Sequence, residues 1–241
     1  MRRLLTSAVV GICCILFAGA GSAASLRVAP VVLDLKAPTA ASTIRVWNDE
    51  HRAINVQIRV FRWSQRNGED VYEATNDVVA SPPITTLQPG GENLVRIVRT
   101  SKRPVQAEES YRVIVDELPD LSPRQSGTVI LVVRHSIPVF FGPADARGAD
   151  PSWSVRRVPG GYQVTVENSG TQRLRVSNLT LSDNQRVLAR QDGLVGYVLG
   201  NGTARWVVPG RSPDGPSGAT LTISADSEAG RFNATARISG G

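Results

Sequence analysis

Cysteine is almost missing from this 241-residue chain: the two present, Cys13 and Cys14, are adjacent near its start. Histidine is as scarce, at His51 and His135. A structural zinc site takes about four such ligands, so a His/Cys metal centre is nearly excluded, and histidine-based catalysis has little to draw on. Lysine occurs only at Lys36 and Lys102, against 25 arginines. Charges of both signs are interspersed under a formal net charge of +6. There is no basic block of the kind nucleic-acid binders carry. No nucleophile elbow appears, and Gly90-Gly91 and Gly160-Gly161 lack the strand–loop–helix setting of a phosphate loop. The expectation is therefore a protein without catalytic residues, metal or cofactor, and without a nucleic acid or small molecule as substrate. Aromatics make up 5% of the chain and hydrophobic residues 41%, so the apolar content is mainly aliphatic and sufficient for a core.

What is there begins with a leader. Met1-Arg2-Arg3 is cationic, Leu4 to Ala20 is mostly apolar and uncharged, and Gly21-Ser22-Ala23-Ala24 supplies small residues. That order predicts a signal peptide over 1–24, cleaved after Ala24, and hence export. The apolar run is shorter than the ~20 residues of a membrane span. Both cysteines lie inside the leader, so the remainder forms no disulfide and must be held by its core. It keeps 25 basic and 21 acidic residues.

Beyond the leader the dominant pattern is alternation of period two, which means strands. Ile54, Val56, Ile58 and Val60 alternate with Asn55, Gln57 and Arg59. Arg66-Asn67-Gly68-Glu69 predicts a tight hairpin, since Asn-Gly accepts positive φ. Leu94 to Val98, Tyr111 to Leu118 and a long segment from Gly127 to Phe141 are further strands. Sustained helical periodicity is missing. Short strands at ~8–12-residue spacing between turns predict an all-β fold of sandwich type. Polar, small residues over 144–152 read as a linker between domains at 25–143 and 153–241. A shift of 120 aligns Ile44–Asp49 with Val164–Ser169, Ile54 and Val56 with Leu174 and Val176, and Pro89-Gly90 with Pro209-Gly210. It predicts two tandem domains of like topology.

Several segments together carry a resemblance: Leu26-Arg27-Val28-Ala29-Pro30, Ile44-Arg45-Val46-Trp47-Asn48-Asp49, Ser81-Pro82-Pro83, Leu87-Gln88-Pro89-Gly90, Tyr111 to Pro119, and Ile137-Pro138-Val139-Phe140-Phe141-Gly142-Pro143. In that order and spacing the chain resembles the periplasmic pilus-assembly chaperones of the chaperone–usher pathway. The resemblance implies two immunoglobulin-like β-sandwich domains with an interdomain cleft. It implies a periplasmic protein that binds pilus or fimbrial subunits by donor-strand complementation and delivers them to an outer-membrane usher. It leaves open whether the free protein caps its own donor strand as a homo-oligomer. The physical logic suits such a client: a sandwich lacking one strand exposes an apolar groove between two unpaired edges, which an extended segment can fill.

The resemblance places the donor positions on Val129, Leu131 and Val133. A strand apolar on both faces, with Ile130 and Val132 opposite, leaves one face for the chaperone's own core and the other for a client. The carboxylate anchors of the best-known members would fall near Val32 and on Pro138, neither of which can bind an anion, so the match is better to the divergent, archaic branch. Arg112, an arginine within an apolar strand, is the leading candidate anchor for a client's C-terminal carboxylate, with Arg134 and Arg27 as alternatives. Arg134 is expected to share the core-facing parity of Val132, near the cleft. Glu117 matches a glutamate of the family's interdomain cleft, although the arginine partner would fall on Gly142. The competing expectation is a secreted two-domain adhesin or appendage subunit. Against it, Leu26 opens a strand almost at the expected mature N-terminus, leaving no polymerisation arm.

Overall fold

The computed structural model describes residues 26–119, 131–145, 148–183, 186–210 and 218–239, and every regular element among them is a strand. The first domain runs through β1 (Leu26–Ala29), β2 (Leu33–Lys36), β3 (Ala41–Asn48), β4 (Ile54–Arg66), β5 (Glu69–Ala74), β6 (Val78–Ser81), β7 (Ile84–Leu87), β8 (Glu92–Arg99), β9 (Glu109–Leu118) and β10 (Arg134–Gly142). The second comprises β11 (Pro151–Val158), β12 (Gly161–Asn168), β13 (Leu174–Asp183), β14 (Arg186–Val198), β15 (Thr203–Pro209), β16 (Thr220–Ser227) and β17 (Gly230–Ser239). The expected linker thus overlaps the segment between β10 and β11, but Pro151 and Ser152 already lie in strand.

In the first domain a sheet ordered β1-β3-β8-β6 faces a second ordered β2-β10-β9-β4-β5, with β7 also on β4. The alternation of β4 does what period two requires: Ile54, Val56 and Ile58 are buried, and Asn55 and Arg59 are exposed. They join Ile44, Val46, Val95, Ile97, Val113, Val115 and Val139 in one core. The second domain follows the path β14-β13-β16-β17-β11-β12-β15, and a bridge between Ala189 and Gly210 nearly closes it on itself. Its core is separate, built on residues such as Val164, Val166, Val176, Leu181 and Ile223. The two cores are what make these two domains.

The predicted hairpin joins β4 to β5, with Asn67 and Gly68 at φ of 55° and 83°. Its tip reaches the second domain, where Arg205 N–H donates to the Gly68 carbonyl at 3.0 Å. One part of the repeat needs correction. Asn48 and Asn168 correspond at a shift of 120, but the turn after Gln88 corresponds to the turn after Leu199, not to Pro209-Gly210. Gly91 N–H bonds to Gln88 O at 2.8 Å, and Gly202 N–H to Leu199 O at 3.0 Å. Gly90 and Asn201, third in each turn, both have positive φ. Pro209-Gly210 is a chance match at the end of β15.

Candidate functional site

Strand β10 pairs antiparallel with β9 over Arg134–Phe141, but on its other side it meets β2 only over Val139–Gly142. Residues 134–138 therefore keep one edge without a ladder partner among the described residues. Upstream of that edge Leu131 is 87% exposed and Val132 is also exposed, while Val133 packs against the first core. Val129 lies outside the described residues. The odd positions of β10, Ile137, Val139 and Phe141, all face that core. This corrects the division of labour expected from the sequence. Val133 stands on the core-facing parity of β10, at the point where the first core runs out.

Arg112 is the register partner of Pro138 and faces away from the core, because Tyr111 and Val113 on either side are buried within it. Its guanidinium carbon stacks 3.9 Å above the Trp63 ring and lies 5.9 Å from that of Tyr197. Its Nε is buried without a hydrogen-bond partner. Among the described residues it makes no ion pair: Glu109, the carboxylate nearest in sequence, is held by Arg99 at 2.8 Å, and Asp116 by Arg59 at 2.7 Å and by Arg134. Arg112 lines a cleft of about 440 Å³ with Val31, Val32, Pro138, Tyr197 and Glu228. The Tyr72 hydroxyl has its pKa raised by burial and by Asp70, with Arg112 pulling the other way.

The other expected site residues are not gathered there. Arg134 points away from the core and pairs with Asp116, four residues (~13 Å) along β10 from Pro138. The expectation that it shares the core-facing side at the cleft is therefore wrong, by the simple alternation of the strand. Arg27 is engaged by Asp49 and lies 5.4 Å from the Trp47 ring, on the outer face of the other sheet. Glu117 stands at the end of β9 far from the domain junction, where Arg52 donates to it at 3.3 Å and the Val133 N–H at 3.4 Å. Eight residues of extended chain, ~26 Å, separate it from Glu109 at the junction end, so it is not a cleft residue.

The junction is built instead from residues the sequence reading passed over. Arg173 of β12–β13, its side chain 6% exposed, donates to Glu108 at 2.5 Å, Asp34 at 2.8 Å and Glu228 at 3.0 Å. Its guanidinium also lies 3.8 Å over Phe140. Burial raises the Glu108 pKa against the pull of Arg173, and burial likewise opposes the Arg173 charge, which its carboxylates nevertheless hold above the ordinary value. Trp63, Phe140, Tyr197 and Leu199 form a small apolar cluster between the domains. Gln65 clamps it, donating to Tyr197 O at 2.8 Å and accepting from Leu199 N–H at 2.9 Å. The available signal was Arg173 and Arg175 two apart, flanking the inward Leu174.

The model of the family described as pili and flagellar-assembly chaperone, PapD N-terminal domain, matches residues 25–147. Chaperone protein PapD of Escherichia coli is 28% identical over 119 residues, 46% of this chain and 48% of that protein, so the chain matches about half of this curated relative's length. Among solved structures, the archaic Csu pili chaperone–tip adhesion subunit pre-assembly complex (CsuC–CsuE) of Acinetobacter baumannii supplies a chain 25% identical. The likeness covers 90% of this chain and all of that one, with a TM-score of 0.66. The SafB chaperone complex with the SafA pilin of Salmonella enterica, at 17% identity, 89% and 98% coverage and a TM-score of 0.59, shares the fold.

Proposed function

This chain belongs to the pili and flagellar-assembly chaperone family, and on that premise we propose that it is a periplasmic chaperone that captures pilus subunits by donor-strand complementation and passes them to an outer-membrane usher. The observation that carries the reading is the edge of β10 that has no ladder partner among the described residues, beside exposed Leu131, leading towards Arg112 in a cleft, which makes no ion pair among them. A client strand with its C-terminus at Arg112 would lie level with Pro138 at that end, and its upstream residues would run back along Ile137 to Leu131. It would therefore pair parallel to β10, and the Arg112 contact would set the register. Val133 and the donor positions upstream would extend the chaperone's core layer into the client's groove, so that one apolar layer spans both proteins. The exported leader over 1–24 belongs to the same reading, as does the absence of any assigned chemistry.

The test is co-expression with a small secreted pilus subunit from the same genome. Burying a leucine contributes about 1.5–3 kcal/mol, so Leu131→Glu abolishes subunit recovery while the free protein keeps its yield. Recovery of subunit with Leu131→Glu at the unmodified level overturns the donor assignment. Arg112→Ala weakens capture at least tenfold.

A further inference from the structure

The chain carries its own competitor for the β10 edge. Strand β2 runs parallel to β10 from Leu33 opposite Val139 to Lys36 opposite Gly142. The segment before it leaves that ladder, since β1 pairs antiparallel with β3 in the other sheet, from Leu26 opposite Asn48 to Ala29 opposite Arg45. Had the chain run straight on, the register of β2 would set Val32 opposite Pro138 and Val28 opposite Arg134. Residues 28–32 would then cover residues 134–138, the stretch whose edge lacks a ladder partner among the described residues. Parity stands against this. In β2 the odd residues Leu33 and Leu35 are buried, and Asp34 and Lys36 are exposed. In β1 the even residues turn inward: Leu26 is fully buried and Val28 packs against the core, while Arg27 and Ala29 are exposed. The phase slips by one residue within 30–32. The inward positions of β10 are odd, so a straight run would turn Leu26 and Val28 to solvent. It would also turn Arg27 into the core, away from Asp49. Pro30 would bring no N–H to the ladder opposite Ser136. A tie holds β1 where it is: His135 of β10 donates from Nε2 to the Leu26 carbonyl, which can only accept, at 2.7 Å.

We infer that the one-residue phase slip between β1 and β2, secured by the His135–Leu26 bond, keeps this chain's own first strand off the β10 edge and so guards the protein against autoinhibition. The consequence for client capture rests on the donor-strand reading above; the competition of β1 for the edge does not. An edge next to a strand of the same chain is open to capture by it, because an intramolecular partner is always at hand. Here the alternation of Leu26 and Val28 commits β1 to β3, and that commitment leaves the edge to a partner from outside.

The test moves the phase. In a Pro30→Thr background, one threonine inserted after Val31 brings Leu26 and Val28 into step with the inward side of β10, opposite Leu131 and Val133. Two inserted threonines restore the slip at nearly the same loop cost. Amide hydrogen exchange and titration with a short N-acetylated peptide alternating valine and threonine, its C-terminus free, are read on the full protein. A cap closed in about nine molecules of ten slows the edge-facing amides of residues 134–137 about tenfold and weakens peptide binding about tenfold. The one-threonine variant shows both, and the β3 amides turned towards β1 lose protection. The two-threonine variant and Pro30→Thr alone behave as the unmodified protein. Adding His135→Ala to the one-threonine variant raises edge protection further; no change removes the tie from the inference. If the one- and two-threonine variants leave the edge equally open, or close it equally, phase does not hold β1 away and the inference is overturned. Thermal unfolding reports that the fold is kept. Should the one-threonine variant not fold, deletion of Val31 in the same background shifts the phase from the other side and is read the same way. If the edge closes but peptide affinity is unchanged, or the unmodified protein binds no peptide, the donor-strand reading falls, while exchange still decides the role of the phase slip.

Discussion

Asn48 ends β3 in the first domain and Asn168 ends β12 in the second, and their hydrogen bonds correspond nearly one for one. Asn48 Nδ2 is shared among the carbonyls of Arg52, Leu87 and Gln88, while its Oδ1 accepts from Glu50 N–H. Asn168 Nδ2 is shared among those of Gln172, Val198 and Leu199, while its Oδ1 accepts from Gly170 N–H. Each is a buried plug that satisfies turn carbonyls the sandwich would otherwise strand. The domains differ at their edges. The second brings β14 to β15 and nearly closes; in the first, residues 134–138 of β10 lack a ladder partner on one edge among the described residues, beside exposed Leu131. A common plug with unlike edges teaches that the interior and the edges of the same sandwich design vary independently. The interior repeats, and the edge is where, in the proposed function, the first domain recruits a strand from outside.

The largest expected effect breaks the comparison by uncoupling the domains. Arg173→Ala leaves Glu108, its side chain 3% exposed, buried beside no cation. The expected loss is about 3–5 kcal/mol, with one unfolding transition separating into two in calorimetry. A variant that unfolds like the unmodified protein rules out the cluster as the interdomain lock. Asn48→Ala and Asn168→Ala sharpen the comparison: each costs about 3 kcal/mol, and the loss is confined to its own domain as read by amide exchange. Equal protection loss in both domains from either change contradicts independent plugs.

Acid distinguishes the domains next. Burial alone would raise Glu109 and Asp116, but Arg99 and Tyr111 hold the first, and Arg134 and Arg59 the second, below the ordinary carboxylate range. A depressed group contributes stability above its unfolded pKa, about 4, and loses it as pH falls through the folded value. Both are in the first domain, which therefore weakens below about pH 4. Glu108, raised, works oppositely: its favourable contribution is present at low pH and is lost as pH rises through its folded value. Asp116→Asn blunts the acid loss in a urea series at stepped pH, and an unchanged acid limb refutes this assignment. The smallest effect is on Leu131→Glu: at 87% exposure its substitution shifts the stability of the free protein by less than about 0.5 kcal/mol. A larger loss, measured by denaturant midpoint, would mean that Leu131 serves its own domain.

How much was legible follows from what each residue depends on. Ile54, Val56 and Ile58 carry their burial in the alternation itself, and Asn67-Gly68 carries its turn in its φ preference. The Asn48–Asn168 equivalence showed as a shift of 120, because both domains need the same plug at the same place. Pro209-Gly210 fitted that shift by accident, since loop length differs between the domains and the true turn lies earlier. Glu117 and Arg134 were misplaced for a related reason: their local pattern says nothing about which end of β9 or β10 meets the other domain.

The sequence by itself determined the strands, the two-domain order and the family, because period-two burial and turn chemistry are local. It also singled out Arg112, since an arginine in an apolar strand is conspicuous without coordinates. Only the tertiary structure decided that Arg112 has no ion pair among the described residues while Arg134 and Arg27 have one, because Asp116 and Asp49 reach them from other strands and turns. It alone put Arg173 among Glu108, Asp34 and Glu228, from three distant segments. Neutralisation at the junction is settled by packing, because Arg173 lies 65, 139 and 55 residues from Glu108, Asp34 and Glu228.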